Sequence, residues 1–395
     1  MPALVFQALP QLIQRAVLFA VAQLGVSAEH TALAKVLGAP GAGAHLLAAG
    51  LQLLGQLFQT EQLCRALCGA LGGQLDGIGG LRGIEPGLLR GLAGGLHGLV
   101  GLGAQGGSGI PGAQFGGIVP GLNQKGQWIT IREAHDRFFS MYSEEEIMAK
   151  NSTTKVAPFL MHKMVASARF QNLRLMNYVN EIDEENQTQF SVLSFLLDDD
   201  RVYVAFRGTD NTIVGWKEDF NMSFLYQTEG QIRAAQYLND CYGDTSYELL
   251  VGGHSKGGNF AVYASAFCQP AIQDRITCVY SNDGPGFLKE ITTQESYERI
   301  MPRVVSTIPE SSIVGMLLEN EMDHRVVKSS QTGAMQHDAM SWEVLGNHFV
   351  FAENLSESSV MLDRTLKNWI YGLSAEEREE FVNILFGTLQ STGAT

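Results

Sequence analysis

From about residue 127 onward, apolar and polar positions fall into short blocks of recognisable period. Residues 190–197 (FSVLSFLL) and 201–206 (RVYVAF) are near-continuous apolar runs separated by Asp198-Asp199-Asp200, which predicts two strands joined by a tight turn. Residues 131–150 read as an acidic helix, and 156–170 as a second helix with Pro158 tolerated in its first turn. A helix over 232–241 precedes a short strand at 247–251 (YELLV), and a run rich in small residues, 259–268 (NFAVYASAFC), reads as the helix after it. Residues 276–281 form another strand pattern, followed by short apolar runs at 303–308, 313–318 and 325–328. Two helices close the chain, the last opening at Ser374 with Glu377 three positions on, a capping box. Strands alternating with helices over about 270 residues predict one α/β domain with a mostly parallel sheet.

Upstream the pattern is lost. Residues 1–124 hold nine of the 68 charged side chains but 27 of the 44 glycines. The expected organisation is therefore a Gly/Leu/Ala-rich segment over 1–126 and a folded domain over 127–395. Three readings of the first segment compete: a membrane- or partner-associated region, a poorly ordered low-complexity arm, and a stretch that is no natural fold, such as an out-of-frame gene start. No run of about 20 bulky apolar residues supports a spanning helix. So much glycine raises the entropy cost of ordering the segment. The apolar run at 16–26 has only Arg15 before it, a poorly formed secretory signal.

Charge removes one class of function. A net charge of −14 leaves no basic stripe to neutralise phosphates, so a nucleic-acid partner is not expected. The five cysteines (Cys64, Cys68, Cys241, Cys268, Cys278) are odd in number and scattered. Cys64-x-x-x-Cys68 has no second ligand pair, so neither a zinc site nor any other cofactor is implied, and a reducing, cytoplasmic setting is expected.

The chemistry starts at Gly253-His254-Ser255-Lys256-Gly257, which lies between a predicted strand and a predicted helix. That is the form of a nucleophile elbow, where a serine hydroxyl is exposed on a strained strand-to-helix turn. In a chain with 44 glycines the pentapeptide alone is weak evidence, and its flanks give it weight. Acyl transfer needs a nucleophile, a base, an orienting acid and an oxyanion hole. Ser255 supplies the first, and the backbone N–H of Lys256 is one oxyanion donor by the geometry of the motif. The loop Phe206-Arg207-Gly208-Thr209-Asp210 follows an earlier strand and reads equally as the second donor or as a turn with a structural arginine. In the order serine, acid, histidine, three histidines follow Ser255: His324, His337 and His348. His337 is favoured as the base because its loop is polar and contains glycine. Asp283, at the carboxyl end of the next predicted strand, is the favoured acid, with Asp323 the alternative. A turn-forming role is the competing reading of Asp283. His254 is expected to point away from Ser255 and pack structurally.

Six motifs in order carry a family resemblance: YVNEID (178–183), VAFRGTD (204–210), GWKEDFNMSF (215–224), GGHSKGGN (252–259), SNDGPGF (281–287) and QHDAMSWEV (336–344). Over residues 128–390 they resemble a lipase-like bacterial family of unassigned function, related to the class 3 lipases. The resemblance implies an α/β-hydrolase fold and a part for Thr209 in the oxyanion hole. It implies a small-molecule or lipid ester as substrate, with membrane association through the N-terminal segment a further expectation. Class 3 lipases would place the acid near 311–314, where this chain has Ser311, Ser312, Ile313 and Val314. Trp216, Lys217, Glu218 and Asp219 read as structural, with Asp219 suited to pinning the oxyanion loop. Met316, Leu317 and Leu318 line an acyl pocket or, more commonly for such a run, the core. A catalytically idle hydrolase scaffold is the rival reading, since fold does not imply function.

Overall fold

The computed structural model describes residues 116–149, 156–209, 213–319, 322–346 and 348–391. The readings offered for residues 1–115 lie outside the described residues. The sheet and candidate site lie in one compact unit, from which residues 364–372 are separate.

Eight strands form one sheet in chain order: β1 (Ile129–Thr130), β2 (Arg174–Asp183), β3 (Thr188–Leu196), β4 (Arg201–Phe206), β5 (Glu248–His254), β6 (Ile276–Asn282), β7 (Val304–Pro309) and β8 (His324–Val327). Pairing is antiparallel from β1 to β4 and parallel from β4 to β8. Parallel neighbours need crossover connections, and helices supply them. The helices α1 (Ile131–Met141), α2 (Glu144–Ala149) and α3 (Leu160–Ala166) precede β2. Between β4 and β5 lie α4 (Ile213–Asn221) and α5 (Glu229–Tyr242), and between β5 and β6 lie α6 (Lys256–Phe267) and α7 (Pro270–Gln273). Next come α8 (Lys289–Thr292) and α9 (Glu295–Ile300), then a hairpin of β9 (Val344–Leu345) and β10 (His348–Phe349). The last helices are α10 (Glu357–Tyr371) and α11 (Ala375–Ser391). This is the expected α/β-hydrolase-like architecture, a mostly parallel sheet flanked by helices.

Apolar runs without alternation became strands covered on both faces. Every residue of β3 is buried. Leu193 and Phe195 face a layer that includes Ile131, Phe138 and Met161 from α1 and α3. Their neighbours point the other way, and there Phe190 and Phe206 meet Tyr237 of α5 and, for Phe190, Phe260 of α6. Each buried phenylalanine contributes on the order of 2 kcal/mol. Ile118 and Val119 join the first layer, so packed chain begins ahead of Gln127.

Four elements differ from the pattern reading. The helix expected over 131–150 is two helices, because Ser143 and Glu146 form a second capping box (Ser143 N to Glu146 Oε2 2.8 Å) and restart it. Pro158 sits in a 3₁₀ turn before α3. The run 313–318 is a 3₁₀ turn at Val314–Met316. The helix after Ser255 starts three residues earlier than its small-residue run, at Lys256.

Candidate active site

Strand register sets the site. Phe206 of β4 pairs with Gly253 of β5, and His254 of β5 pairs with Asn282 of β6. The loops leaving these three strands carry Thr209, Ser255 and Asp283, so they emerge side by side at the carboxyl edge of the parallel sheet, where open α/β sheets build their sites. The elbow is present. Ser255 stands at φ 56°, ψ −133° between β5 and α6. Its N–H donates to the Asn282 carbonyl (2.9 Å), and its own carbonyl accepts from Gly258 N (2.8 Å). Positive φ is costly for a residue with a side chain, and such residues cluster at functional sites. Glycine is required on both sides: a methyl at Gly253 would stand 2.3 Å from the Gly257 carbonyl, and one at Gly257 2.3 Å from the Phe206 carbonyl. Asp283 is also left-handed, at φ 49°.

Asp283 and His337 meet. His337 Nδ1 lies 2.6 Å from Asp283 Oδ2, with the carboxylate wholly buried and the imidazole partly exposed. Asp283 Oδ1 accepts from Ser312 Oγ (2.5 Å) and Gly315 N (3.1 Å). The segment where a class 3 lipase would place its acid thus supplies the donors that hold Asp283 from the neighbouring strand. His337 reaches over the edge from the loop after β8, on the 3₁₀ turn Gly333–His337. With Nδ1 committed to Asp283, Nε2 is the nitrogen able to take a proton. His254 packs its ring against His337 (centroids 4.5 Å) and its Nε2 lies 2.6 Å from the His337 carbonyl. The Trp342 indole donates to the Gln336 carbonyl (2.8 Å), fixing the same turn.

The other predicted residues lie on the opposite flank. Thr209 Oγ1 donates to Asp219 Oδ2 (2.5 Å). Burial pushes the Asp219 carboxyl up to about 6, against the Lys256 ammonium and the Thr209 hydrogen bond, which hold it down. Lys256 is the first residue of α6, where a helix leaves backbone N–H groups without intrahelical acceptors. Its side chain is buried and paired to Glu218, Nζ to Oε2 2.8 Å.

The alternative base and acid candidates lie elsewhere. His324 Nδ1 lies 2.8 Å from Ser306 Oγ between β7 and β8. His348 and Asp323 are exposed. The described cysteines are free, and burial pushes the Cys241 and Cys268 thiols up to about 12, far from nucleophilic thiolate. Among the described residues no group of three or more His, Cys, Asp or Glu side chains can hold a metal ion, and no helix is long and apolar enough to cross a membrane.

Comparison with known proteins fixes the family. A model of the Mbeg1-like family matches residues 164–387, more than half of the chain. The chain belongs to the Mbeg1-like family. The match spans β2 to β10 and takes in Thr209, Ser255, Asp283 and His337. No curated protein sequence matches this member. It is similar to a fungal lipase solved with an inhibitor (16% identity, TM-score 0.30), the match covering 40% of this chain and 66% of that one, just under two thirds. It is also similar to a Rhizomucor miehei lipase propeptide complex (13% identity, TM-score 0.31, 58% of this chain and 69% of that one).

Proposed function

We propose that the protein is a serine hydrolase of the lipase or esterase type, cleaving a carboxylic ester through an acyl-enzyme on Ser255. The observation that carries this is the Asp283–His337 hydrogen bond at 2.6 Å, on the same sheet edge as a serine held in the left-handed conformation. Ser255 Oγ attacks the ester carbonyl while His337 Nε2 takes its proton. Asp283 holds the Nδ1–H tautomer and stabilises the imidazolium that forms. The backbone N–H of Lys256 and Thr209 hold the oxyanion. His337 then returns the proton to the leaving alkoxide, and water attacks the acyl-enzyme by the same route. The substrate class is a small-molecule or lipid ester. The idle-scaffold alternative would be favoured by an acid unable to approach His337, and Asp283 approaches it.

The test is labelling with a fluorophosphonate probe, which phosphonylates an activated serine. Folded wild-type protein is expected to label and Ser255→Ala is not. Folded wild-type protein that fails to label would refute the proposal.

A further inference from the structure

The residue after the nucleophile is an unusual choice. Lys256 sits in a helix whose other buried residues are small, apolar or amide, and its side chain has no exposure at all. Removing an ammonium from water costs several kcal/mol, and apolar residues of similar volume commonly replace a buried ion pair without loss of stability. Packing alone therefore does not call for it.

Its partner is held by four donors from three elements and a cap. Glu218 Oε2 accepts from Lys256 Nζ (2.8 Å) and from Gln189 N of β3 (3.1 Å). Glu218 Oε1 accepts from Gly230 N of α5 (3.1 Å) and from Thr228 Oγ1 (3.3 Å), the N-cap of that helix. A methyl at Gly230 would stand 2.2 Å from Oε1, so α5 is shaped to admit the carboxylate. The next residue of α4, Asp219, takes the Thr209 hydroxyl. Two consecutive carboxylates on one helix thus hold Lys256 and Thr209, the two residues proposed as oxyanion donors, from different loops.

We infer that Glu218 is a positioning residue: through its buried ion pair with Lys256 it fixes the first turn of α6 relative to the Thr209 loop, and so sets the spacing of the oxyanion donors. The inference rests on the reading of Ser255 as the nucleophile. It is distinct from that reading, because it concerns the Lys256 side chain, which pairs with Glu218, and not the backbone N–H proposed to hold the oxyanion. Oxyanion donors act only at correct distance, and a misplacement of about 1 Å costs up to about a hundredfold in rate.

Lys256→Met keeps the backbone N–H of residue 256 and removes the ion pair, together with the ammonium's contact with the Phe260 ring and its pull on Asp219. The double variant Lys256→Met/Glu218→Gln removes both charges together and covers the case in which the single variant, with Glu218 left unpaired, unfolds. Gly230→Ala displaces the Glu218 carboxylate, and with it the Phe260 ring of α6 that the methyl would meet at 2.5 Å, without changing a charge. Each is assayed on a soluble p-nitrophenyl ester, with active sites counted by fluorophosphonate titration so that unfolded protein drops out. The expected result is a fall in kcat per titrated site of about 10- to 100-fold with KM held within about twofold. A merely structural pair would lower the number of titratable sites and leave kcat per site unchanged. Full kcat per site in the double variant and in Gly230→Ala would overturn the inference while leaving the hydrolase reading intact. Wild-type protein that does not label would overturn both.

Discussion

Two aspartates flank the proposed nucleophile, Asp283 wholly buried and Asp219 partly so, and they are treated differently. Asp283 has three donors: Ser312 Oγ and Gly315 N on one oxygen and His337 Nδ1 on the other. Asp219 has one, the Thr209 hydroxyl, and its Oδ1 has no hydrogen-bond partner among the described residues. Donors that bind the charged form favour it, and burial without them disfavours it. Asp219 accordingly holds its proton up to about 6, with burial as the first cause and the nearby Glu218 carboxylate adding to it, while Lys256 and His337 oppose the shift. The contrast separates a carboxylate held by three donors, one of them the proposed base, from one that accepts a single hydroxyl.

The strongest way to break that contrast is to remove the charge at Asp283. Asp283→Asn keeps the shape and lets the amide take the Ser312 bond, yet it cannot hold the Nδ1–H tautomer of His337. A fall in kcat of about 10³- to 10⁴-fold is expected, with the fold retained by thermal melting. A fall of less than tenfold would mean that His337 has another orienting partner.

At Asp219 the expected effect is on stability and its pH dependence. The folded carboxyl binds its proton more tightly than the unfolded one, from an ordinary value of 3.8 up to about 6. The sign follows: stability from this group is greatest at low pH, declines as pH rises from about 4 to about 6, and is level above that, a change of about 3 kcal/mol. Asp219→Asn keeps an acceptor for Thr209 and has no proton to lose. Urea unfolding at pH 4, 5, 6 and 7.5 is expected to show this decline in the wild type and its absence in the variant. Identical pH profiles would mean that Asp219 is ionised without penalty.

Much of this was legible in the chain, for reasons that differ by residue. The strands β3 to β6 announced themselves because buried strands are long apolar runs, and the elbow because Gly253 and Gly257 meet a steric demand that no other residue satisfies. Strand order then brought Thr209, Ser255 and Asp283 together, since loops at the ends of neighbouring parallel strands are neighbours in space. The Glu218–Lys256 pair was not legible, because nothing local links two residues 38 positions apart. GWKEDF offered two adjacent carboxylates, and only the packing of α4 shows that they grip different loops. His254, expected only to pack structurally, packs its ring against His337, a contact that nothing local in the chain announces. Asn259, read only as a helix residue, bonds the Gly286 carbonyl (2.9 Å) and so braces the loop that carries Asp283. The run at 313–318 misled because five apolar residues in six suit a strand, a turn or a helix equally.

Ser312 offers the finest test of why Asp283 differs from Asp219. It stands on the strand-end loop after β7 and donates to Asp283 Oδ1 at 2.5 Å, while its carbonyl accepts the Ser359 hydroxyl. Ser312→Ala removes one of three donors and leaves Gly315 N and His337 in place. A hydrogen bond to a charged acceptor is worth about 1.5 kcal/mol, so a stability loss of that size at neutral pH is expected by urea unfolding. With one donor gone the carboxylate is also less firmly placed against His337, and kcat is expected to fall by about threefold to tenfold. Both losses should shrink when Asp283→Asn is already present, because an amide gains less from the Ser312 hydroxyl than a carboxylate does. Additive losses in that double-mutant cycle would mean that Ser312 braces its loop and does nothing for the charge of Asp283.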